Sequence, residues 1–308
     1  MLFRSRDRLN AQRKSPDRLS NVQQVTPHDF LSIRSASRQL NRTRHGISSC
    51  PHSSALPVRG HHGSEGSSQR TGGIPMDVSI EPALSECRFY HAMDLPGFGS
   101  IDGDWDLRGR FDEYIGGIDL HGQTVLDVGT ASGFLSFEAE RRGATVFSFD
   151  ADGPERIQVV PPAIPDARYF HGMRNSYRLA HHAFKSKATP IYGDIYRMSE
   201  VVPHCDVVIV GQILVHLRDP LGALHQAALV AKETLVIVEG IPDAPSPDVP
   251  IAYFLGDQVC YGWWHLSLPF YQVFLAKLGF LIESVTTKDY IGHRSMLFKL
   301  TTIVSRRS

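Results

Sequence analysis

From about Cys87 onward, apolar runs of strand length alternate with stretches that have helical spacing. The strand-like runs are 124–128, 145–149, 205–210 and 234–239, and the helix-like stretches are 134–142 and 217–230. Near-continuous apolar strands that alternate with amphipathic helices are typical of a parallel sheet covered on both faces. The pattern therefore predicts an α/β protein with a doubly wound, mostly parallel sheet.

The C-terminal region has a different pattern. Two strand-like stretches, 281–290 and 294–303, are separated only by Ile291, Gly292 and His293. Parallel strands need a crossover of a dozen or more residues, whereas antiparallel strands can be joined by a tight turn. We therefore expect an antiparallel hairpin at one edge of the sheet.

Residues 1–75 differ in composition from the rest of the chain. They hold 12 Lys and Arg against 4 Asp and Glu, which leaves 20 against 28 elsewhere, and they end in a Gly/Ser-rich stretch. Such a segment lacks the apolar surface needed to order itself, so we expect a disordered basic tail. Three interpretations of it stay open: an organelle transit peptide, a nucleic-acid-binding arm, or a start assigned too early, with Met76 as the initiator.

Composition also limits the class of protein. The longest apolar runs are far short of a membrane span, and the four cysteines have neither disulfide nor zinc-site spacing. We therefore expect a cytoplasmic protein with no metal site and no membrane partner. The net acidic body gives no general reason to expect a polyanionic partner. The predicted regions are the tail 1–75, an N-terminal extension or lid at 76–118, and a main domain at 119–303.

The stretch VLDVGTASG at 125–133 contains the first candidate site. In an open α/β sheet the ligand lies beyond the carboxyl ends of the strands, near the first strand-to-helix turn. A pyrophosphate site would show GxGxxG, but Ala131 stands where the second glycine would be, and Asp127 adds a carboxylate. This acid favours a ligand that is cationic where it meets the turn, such as S-adenosylmethionine. An ordinary tight turn with a surface aspartate is the alternative.

Two further acidic residues follow strand-like runs. Asp150 directly follows the second run, where a carboxylate can accept hydrogen bonds from both hydroxyls of a ribose. Asp194, in the stretch IYGDIY at 191–196, can accept from the exocyclic amine of adenine. Asp150 serves a nicotinamide dinucleotide equally well, and an aspartate after glycine is also ordinary turn chemistry.

Together these stretches resemble the motifs of class I S-adenosylmethionine-dependent methyltransferases. The run VLDVGTASGFLSFEAERRGATVFSFD is similar to their first two motifs, and YGDIY with CDVVIVGQILVHLRDPLGALHQAA to the third and fourth. The stretches LDVGTASGF and HLRDPLGAL are in particular similar to the sequences of a subgroup that includes tRNA wobble-uridine carboxymethyltransferases. The resemblance covers about residues 90–303. It implies a Rossmann-like, seven-stranded sheet with a C-terminal antiparallel hairpin.

The resemblance also implies a set of cofactor-binding residues. It assigns Asp127, Gly129 and Gly133 to the methionine end of S-adenosylmethionine, Asp150 to the ribose, and Asp194 with Ile195 to the adenine. The predicted cofactor-binding set also includes Thr130, Ala151 and Gln212. In the segment before the first strand, Trp105 and Arg108 are candidates to line a cover over the cofactor, and the alternative is that Trp105 packs under the sheet edge.

One departure from the subgroup bears on the reaction. The members of that subgroup that transfer a carboxymethyl group have a tyrosine directly before a histidine. Here the corresponding segment is Leu214-Val215-His216, with valine in place of the tyrosine. Valine has no donor for the extra carboxylate of such a cofactor. The departure therefore favours ordinary methyl transfer.

His216 and His265 are candidate catalytic bases for an acceptor that must lose a proton. Each also has a structural interpretation, His216 as a cap before the helix near Pro220 and His265 as part of an aromatic core. The sequence thus predicts a methyltransferase that acts on an oxygen or nitrogen atom of a small molecule or sugar. The alternatives are a tRNA wobble-uridine (carboxy)methyltransferase, which the acidic body disfavours, and a cofactor-binding regulator without turnover.

Overall fold

The computed structural model describes residues 74–75, 81–161, 166–243, 248–256, 262–292 and 295–308. For residues 74–75 only the backbone is described. The rest of the predicted tail 1–75, and the alternative start Met76, lie outside the described residues. The described residues all fall within one unit, Ser68–Ser308.

The described residues form twelve strands and five α-helices. The strands are β1 (Ile74–Pro75), β2 (Met93–Leu95), β3 (Gly99–Ile101), β4 (Thr124–Val128), β5 (Thr145–Ala151), β6 (Thr189–Gly193), β7 (Cys205–Gly211), β8 (Ala231–Glu239), β9 (Ala252–Phe254), β10 (Trp264–Leu266), β11 (Phe280–Ile291) and β12 (Leu297–Arg307). The helices are α1 (Phe111–Tyr114), α2 (Phe134–Arg141), α3 (Ala167–Phe184), α4 (Pro220–Val230) and α5 (Leu268–Lys277). Segments of 3₁₀ helix include Ile195–Glu200, which is kinked at Arg197, and Leu214–His216.

Eight of these strands form one sheet, in the order β1-β6-β5-β4-β7-β8-β12-β11. The strands β6, β5, β4, β7 and β8 are parallel, whereas β1, β12 and β11 run antiparallel to their neighbours. Apart from the two-residue β1, this is the predicted Rossmann-like sheet of seven strands with a C-terminal antiparallel pair, so the fold prediction is confirmed. The strand order reverses between β4 and β7, and ligands of such sheets bind in the crevice at that point.

Both faces of the sheet are covered by helices. The side chains of β4, β7 and β8 are buried at nearly every position. Phe137 of α2 and Tyr177 of α3 pack on one face, and Leu224 of α4 and Tyr271 of α5 pack on the other. Burial of each large apolar side chain contributes about 1.5–3 kcal/mol, so the central strands are a rigid support for the loops at their carboxyl ends.

The element boundaries follow local chemistry. Helix α4 begins at Pro220, three residues later than the predicted stretch 217–230, because proline fits the first turn of a helix and Asp219 caps it. The Asp219 carboxylate accepts from the Gly222 N–H at 2.9 Å. The predicted C-terminal hairpin is confirmed as β11 and β12, with the Gly292 N–H donating to the Met296 carbonyl at 2.8 Å.

Residues 88–110, within the predicted N-terminal extension 76–118, dock on two distant parts of the sheet. The His91 N–H donates to Ser132 Oγ at 3.0 Å, in the turn after β4. The Asp106 N–H donates to the Ile291 carbonyl at 3.1 Å, at the end of β11. The extension therefore joins the turn after β4 to the C-terminal hairpin.

The two extension residues singled out in the sequence have structural contacts. Trp105 packs on Phe298 of β12, with 4.8 Å between ring centroids. Arg108 donates to Asp94 and Asp106 within the extension, at 2.9 and 2.6 Å. Trp105 thus attaches the extension to β12, whereas Arg108 connects two parts of the extension to each other. Among the described helices, none has the length and apolar character needed to cross a membrane.

Candidate functional site

The turn after β4 folds tightly against the end of β5. The N–H groups of Gly129 and Thr130 both donate to the Phe149 carbonyl, at 2.9 and 3.1 Å. Gly129 has a φ of 78° and Gly133 a φ of 90°, in the left-handed region that favours glycine. A Cβ on Gly133 would lie 2.4 Å from the Phe137 ring. The backbone of this turn therefore requires both glycines that the sequence analysis selected.

Asp127 lies at the carboxyl end of β4 and is only 1% exposed. Its Oδ2 accepts a hydrogen bond from Ser136 Oγ of α2 at 2.7 Å. Its Oδ1 has no hydrogen-bond partner among the described residues. A buried carboxylate oxygen without a partner is costly, so this atom is an acceptor available to a donor group on a ligand.

The ionisation of Asp127 is set by its burial. Burial raises the pKa of Asp127 to about 6, the nearby Asp150 adds to the shift, and the hydrogen bond from Ser136 opposes it. At neutral pH the carboxylate is therefore mostly ionised. A negative charge in this position favours a cationic ligand group and opposes a phosphate.

Asp150 lies at the carboxyl end of β5, next to its last residue, and binds the glycine turn with one carboxylate oxygen. Its Oδ2 accepts from the Ala131 N–H at 2.8 Å, and its Oδ1 accepts from the Ala151 N–H at 2.7 Å. Because each carboxylate oxygen can accept a second hydrogen bond, Asp150 can also receive two vicinal hydroxyl groups. The structure thus brings Asp127, the glycine turn and Asp150 together, as the sequence analysis expected for one ligand.

A cleft opens beside Asp150. It is lined by Ala131, Asp150, Ala151, Phe170, Met173, Arg174 and Tyr192. Arg174 Nη2 donates to the Ala151 carbonyl at 2.7 Å, and the guanidinium lies 4.3 Å from the centroid of the Tyr192 ring. Flat cationic and aromatic surfaces of this kind suit a planar ring such as a nucleobase.

Asp194 and Ile195 lie after β6, the strand next to β5. The Asp194 carboxylate accepts from the Tyr196 N–H at 3.0 Å and from Arg156 Nη1 at 2.9 Å. Ile195 packs against the apolar core on one face of the sheet. The Asp194 carboxylate therefore caps the following 3₁₀ segment and pairs with Arg156, at the carboxyl ends of the strands where Asp150 also lies. Its contact with adenine stays a prediction.

The carboxyl ends of β7 and β8 form the other side of the crevice. Gln212 follows β7 with a φ of 53°, and its N–H donates to the Val238 carbonyl at 2.8 Å. Glu239 ends β8, is 3% exposed, and accepts from the Leu214 N–H at 2.8 Å. Burial raises the pKa of Glu239 to about 8. This carboxyl group therefore holds the start of the Leu214–His216 turn.

The two candidate bases lie on adjacent segments. His265 belongs to β10, and its Nε2 is 3.6 Å from the position that a Cβ on Gly240 would take. The Trp263 N–H donates to the Val215 carbonyl at 2.7 Å, which places the turn containing His216 beside the segment that leads into β10. Burial lowers the pKa of His265, so its imidazole is neutral at pH 7 and can accept a proton. The catalytic roles of both histidines stay predictions.

Two buried groups at the site were not selected from the sequence. Glu239 stands at the end of an apolar strand-like run, and an acidic residue in that position is the same signal that identified Asp150. His91 is 7% exposed, and its Nδ1 has no hydrogen-bond partner among the described residues. Burial lowers the pKa of His91 to about 3, so this ring is neutral. Nothing in the pattern around His91 marked it, because its burial depends on docking against Ser132.

No family model matches the sequence, and no curated protein matches it. Several solved structures are similar to this one. Magnesium protoporphyrin IX methyltransferase from Synechocystis, with bound S-adenosylhomocysteine, is 15% identical over 64% of this chain and 80% of that chain, with a TM-score of 0.43. A SAM-dependent methyltransferase from Methanosarcina mazei is 16% identical over 66% and 98%, with a TM-score of 0.44. The Burkholderia thailandensis 1,6-didemethyltoxoflavin-N1-methyltransferase is 15% identical over 64% and 75%, with a TM-score of 0.40. At these values the similarity assigns neither a ligand nor a reaction to this chain.

Proposed function

We propose that this chain is a class I S-adenosylmethionine-dependent methyltransferase that acts on an oxygen or nitrogen atom of a small molecule. The observation that carries the proposal is Asp127, an ionised and buried carboxylate with one oxygen lacking a partner among the described residues, at the mouth of a glycine turn. A turn that binds a pyrophosphate would not place this charge there. A ligand with a cationic group and no phosphate fits it.

The site residues at the ends of the neighbouring strands β4 and β5, and in the cleft beside them, match the methionine, ribose and adenine parts of S-adenosylmethionine in that order. Asp127 Oδ1 can accept from the α-ammonium group, and Asp150 has the remaining acceptor capacity for the two ribose hydroxyls. The cleft with Arg174 and Tyr192 suits the adenine ring. The other members of the proposed binding set are Gly129, Thr130, Gly133, Ala151, Asp194, Ile195 and Gln212.

The cofactor supplies an activated methyl group that an acceptor atom displaces in line with the departing sulfur. The protein has to hold the two reactants in line, exclude water and, for a hydroxyl or ammonium acceptor, remove a proton. His265 is neutral and half-buried, so it can serve as that base, and His216 is the second candidate. Leu214 and Val215 of the preceding turn offer no side-chain donor for an added carboxylate, which supports transfer of an unmodified methyl group.

A small acceptor is supported by the surroundings of His265. Phe254 and Trp264 pack together with ring centroids 5.1 Å apart, and Arg218 lies 5.2 Å from the centroid of the Trp263 ring. These aromatic side chains belong to the β9–β10 segment that also carries the proposed base. The body of the chain is net acidic, which disfavours a long polyanion such as RNA.

The proposal is tested by thermal unfolding of the full chain with four ligands. These are S-adenosylmethionine, S-adenosylhomocysteine, carboxy-S-adenosylmethionine and NAD. A ligand that binds only the folded state at 100 times its Kd adds about 2.7 kcal/mol of stability. We expect stabilisation by the first two ligands and none by NAD. Asp127→Asn should reduce this stabilisation, whereas Asp289→Asn, which removes an exposed carboxylate from β11, should leave it unchanged.

Stabilisation by NAD alone would contradict the proposal. A larger effect of carboxy-S-adenosylmethionine would replace ordinary methyl transfer with carboxymethyl transfer. Turnover is tested separately, as release of S-adenosylhomocysteine in the presence of hydroxylated and amino-bearing small molecules. Binding without release for any acceptor in such a set would favour the regulator without turnover.

A further inference from the structure

Three buried hydroxyl groups connect Asp127 to the helix that covers the cleft. Tyr177 Oη of α3 donates to Ser148 Oγ of β5 at 2.9 Å, and Ser148 Oγ donates to Ser136 Oγ of α2 at 2.7 Å. Ser136 Oγ then donates to Asp127 Oδ2 at 2.7 Å. We call Tyr177, Ser148 and Ser136 the hydroxyl series.

Every hydrogen bond in the hydroxyl series has the same direction. A hydroxyl group has one hydrogen to donate, and Ser136 gives its hydrogen to Asp127. Thr130 Oγ1, which lies 2.9 Å from Ser136 Oγ, must therefore donate to Ser136. Ser136 Oγ therefore accepts hydrogen bonds from Ser148 and Thr130 and donates one to Asp127, so that every donor hydrogen is directed toward the carboxylate. Hydrogen bonds in such a row polarise one another.

The hydroxyl series is enclosed by the fold. Ser136, Ser148 and Tyr177 are each 0% exposed. Ser148 is the register partner of Asp127 on β5, and the partner on β7 is the apolar Ile209. In this position neither carboxylate oxygen of Asp127 is paired with a cation among the described residues. The hydroxyl series thus supplies the side-chain hydrogen bond to Asp127 Oδ2, and it leaves Oδ1 available to a donor group of a ligand.

We propose that the hydroxyl series holds Asp127 in the ionised and oriented form that receives the α-ammonium group of the cofactor. This inference rests on the proposed function, and it assigns Ser136, Ser148 and Tyr177 as positioning residues that act through Asp127. It makes recognition of the ammonium group depend on pH through the buried Asp127 carboxylate. It also joins the methionine end of the site to α3, the helix that carries Arg174 of the nucleobase cleft.

The pH dependence follows from the charges around Asp127. Asp150 from β5, Tyr114 from α1 and Tyr177 from α3 are the titratable groups that interact with it. Burial and Asp150 raise the pKa of Asp127 to about 6, and the Ser136 hydrogen bond lowers it. Only the ionised carboxylate attracts the ammonium group. Affinity is therefore full above this pKa and falls as the pH drops through about 6.

The test measures the affinity of S-adenosylhomocysteine and of 5′-methylthioadenosine by calorimetry between about pH 5 and pH 9, a range that holds both the midpoint near pH 6 and one raised by one to two units. The second ligand keeps the adenine, ribose and thioether but has no ammonium group, so its affinity should not follow Asp127. Removal of one hydrogen bond to a charged group shifts the midpoint by about one to two pH units. Ser136→Ala should therefore move the S-adenosylhomocysteine midpoint upward by about that amount, and Tyr177→Phe should move it in the same direction by less.

Two variants provide matched controls. Ser176→Ala removes a buried serine hydroxyl of α3 that bonds to the Gly172 carbonyl, and Tyr290→Phe removes a buried tyrosine hydroxyl outside the hydroxyl series. Both should keep the midpoint of the unmodified protein. An unchanged midpoint in both Ser136→Ala and Tyr177→Phe would overturn the inference, and so would a 5′-methylthioadenosine profile that matches that of S-adenosylhomocysteine.

A ligand-free measurement separates this inference from the proposed function. The titration of Asp127 is followed by carbon-13 NMR of the carboxyl groups, with Asp127→Asn identifying the resonance. An upward shift of this titration in Ser136→Ala supports the hydroxyl series even if neither ligand binds, in which case the proposed function fails alone. An unchanged titration overturns the role of the hydroxyl series whatever the ligands do.

Discussion

Replacing Glu239 with glutamine should flatten the pH dependence of the protein's stability. Glu239 is buried at the end of β8, and burial raises the pKa of its carboxyl group to about 8. In the unfolded chain the same group ionises at about 4.5. Glutamine keeps an oxygen that can accept from the Leu214 N–H but carries no titratable proton.

The size of the effect follows from the two pKa values. A group whose pKa is raised by folding contributes stability that is fully present below its unfolded pKa and is lost as the pH rises through its folded pKa. Each pH unit between these values costs about 1.4 kcal/mol. Between pH 6 and pH 8.5, the free energy of unfolding of the glutamine variant should therefore rise by about 2.5 kcal/mol relative to that of the unmodified protein.

The assay is urea unfolding of the full chain at both pH values, with the slope against urea compared between variants. Glu233→Gln is the matched control, because Glu233 is an exposed residue of the same strand. The control variant should differ from the unmodified protein by the same amount at both pH values. If Glu239→Gln also shows a constant difference, the carboxyl group is ionised throughout this range and the reasoning from burial is wrong.

Three further predictions concern the site. Asp150→Asn should weaken S-adenosylhomocysteine binding by about 10-fold or more in calorimetry, because it removes a charged acceptor, and unchanged affinity would reassign this residue. Gly133→Ala should lower the free energy of unfolding by about 1–3 kcal/mol, since its Cβ would lie 2.4 Å from the Phe137 ring at a φ of 90°, and equal urea midpoints would refute this. Gly103→Ala should release the extension, since its Cβ would lie 2.3 Å from the Ala92 nitrogen; hydrogen exchange should then increase across 88–110, and unchanged exchange would show that the extension adapts.

Short-range patterns were sufficient where the interacting residues are close in sequence. The apolar runs predicted the strands, and the three-residue gap after Tyr290 predicted the hairpin. The strand-to-helix turn pointed to the glycines at 129 and 133, the family resemblance assigned them to the cofactor, and both adopt a left-handed φ. Asp127 and Asp150 were selected because each stands at or near the carboxyl end of a predicted strand, where a parallel sheet collects its ligand contacts.

Long-range contacts were not predictable in this way. Ser148 precedes Tyr177 by 29 positions, and Leu214 precedes Glu239 by 25. Buried serines in a strand and a helix look like ordinary core positions, since nothing in a single sequence fixes which hydroxyl faces which. Only the pairing of β4 with β5 places Ser148 opposite Asp127. The partner of a polar side chain thus depends on strand register, which the apolar pattern leaves open.

The position of β12 has a consequence for synthesis on the ribosome. This strand lies inside the sheet, between β8 and β11, although it is made after every other strand of the sheet. Until it emerges, β8 keeps an unpaired edge of backbone donors and acceptors that invites pairing with other nascent chains. The extension at 88–110 is made early but docks on Ile291 and Phe298, which are made late. The sheet and the docking of the extension are therefore completed together, only when the C-terminal hairpin has been synthesised.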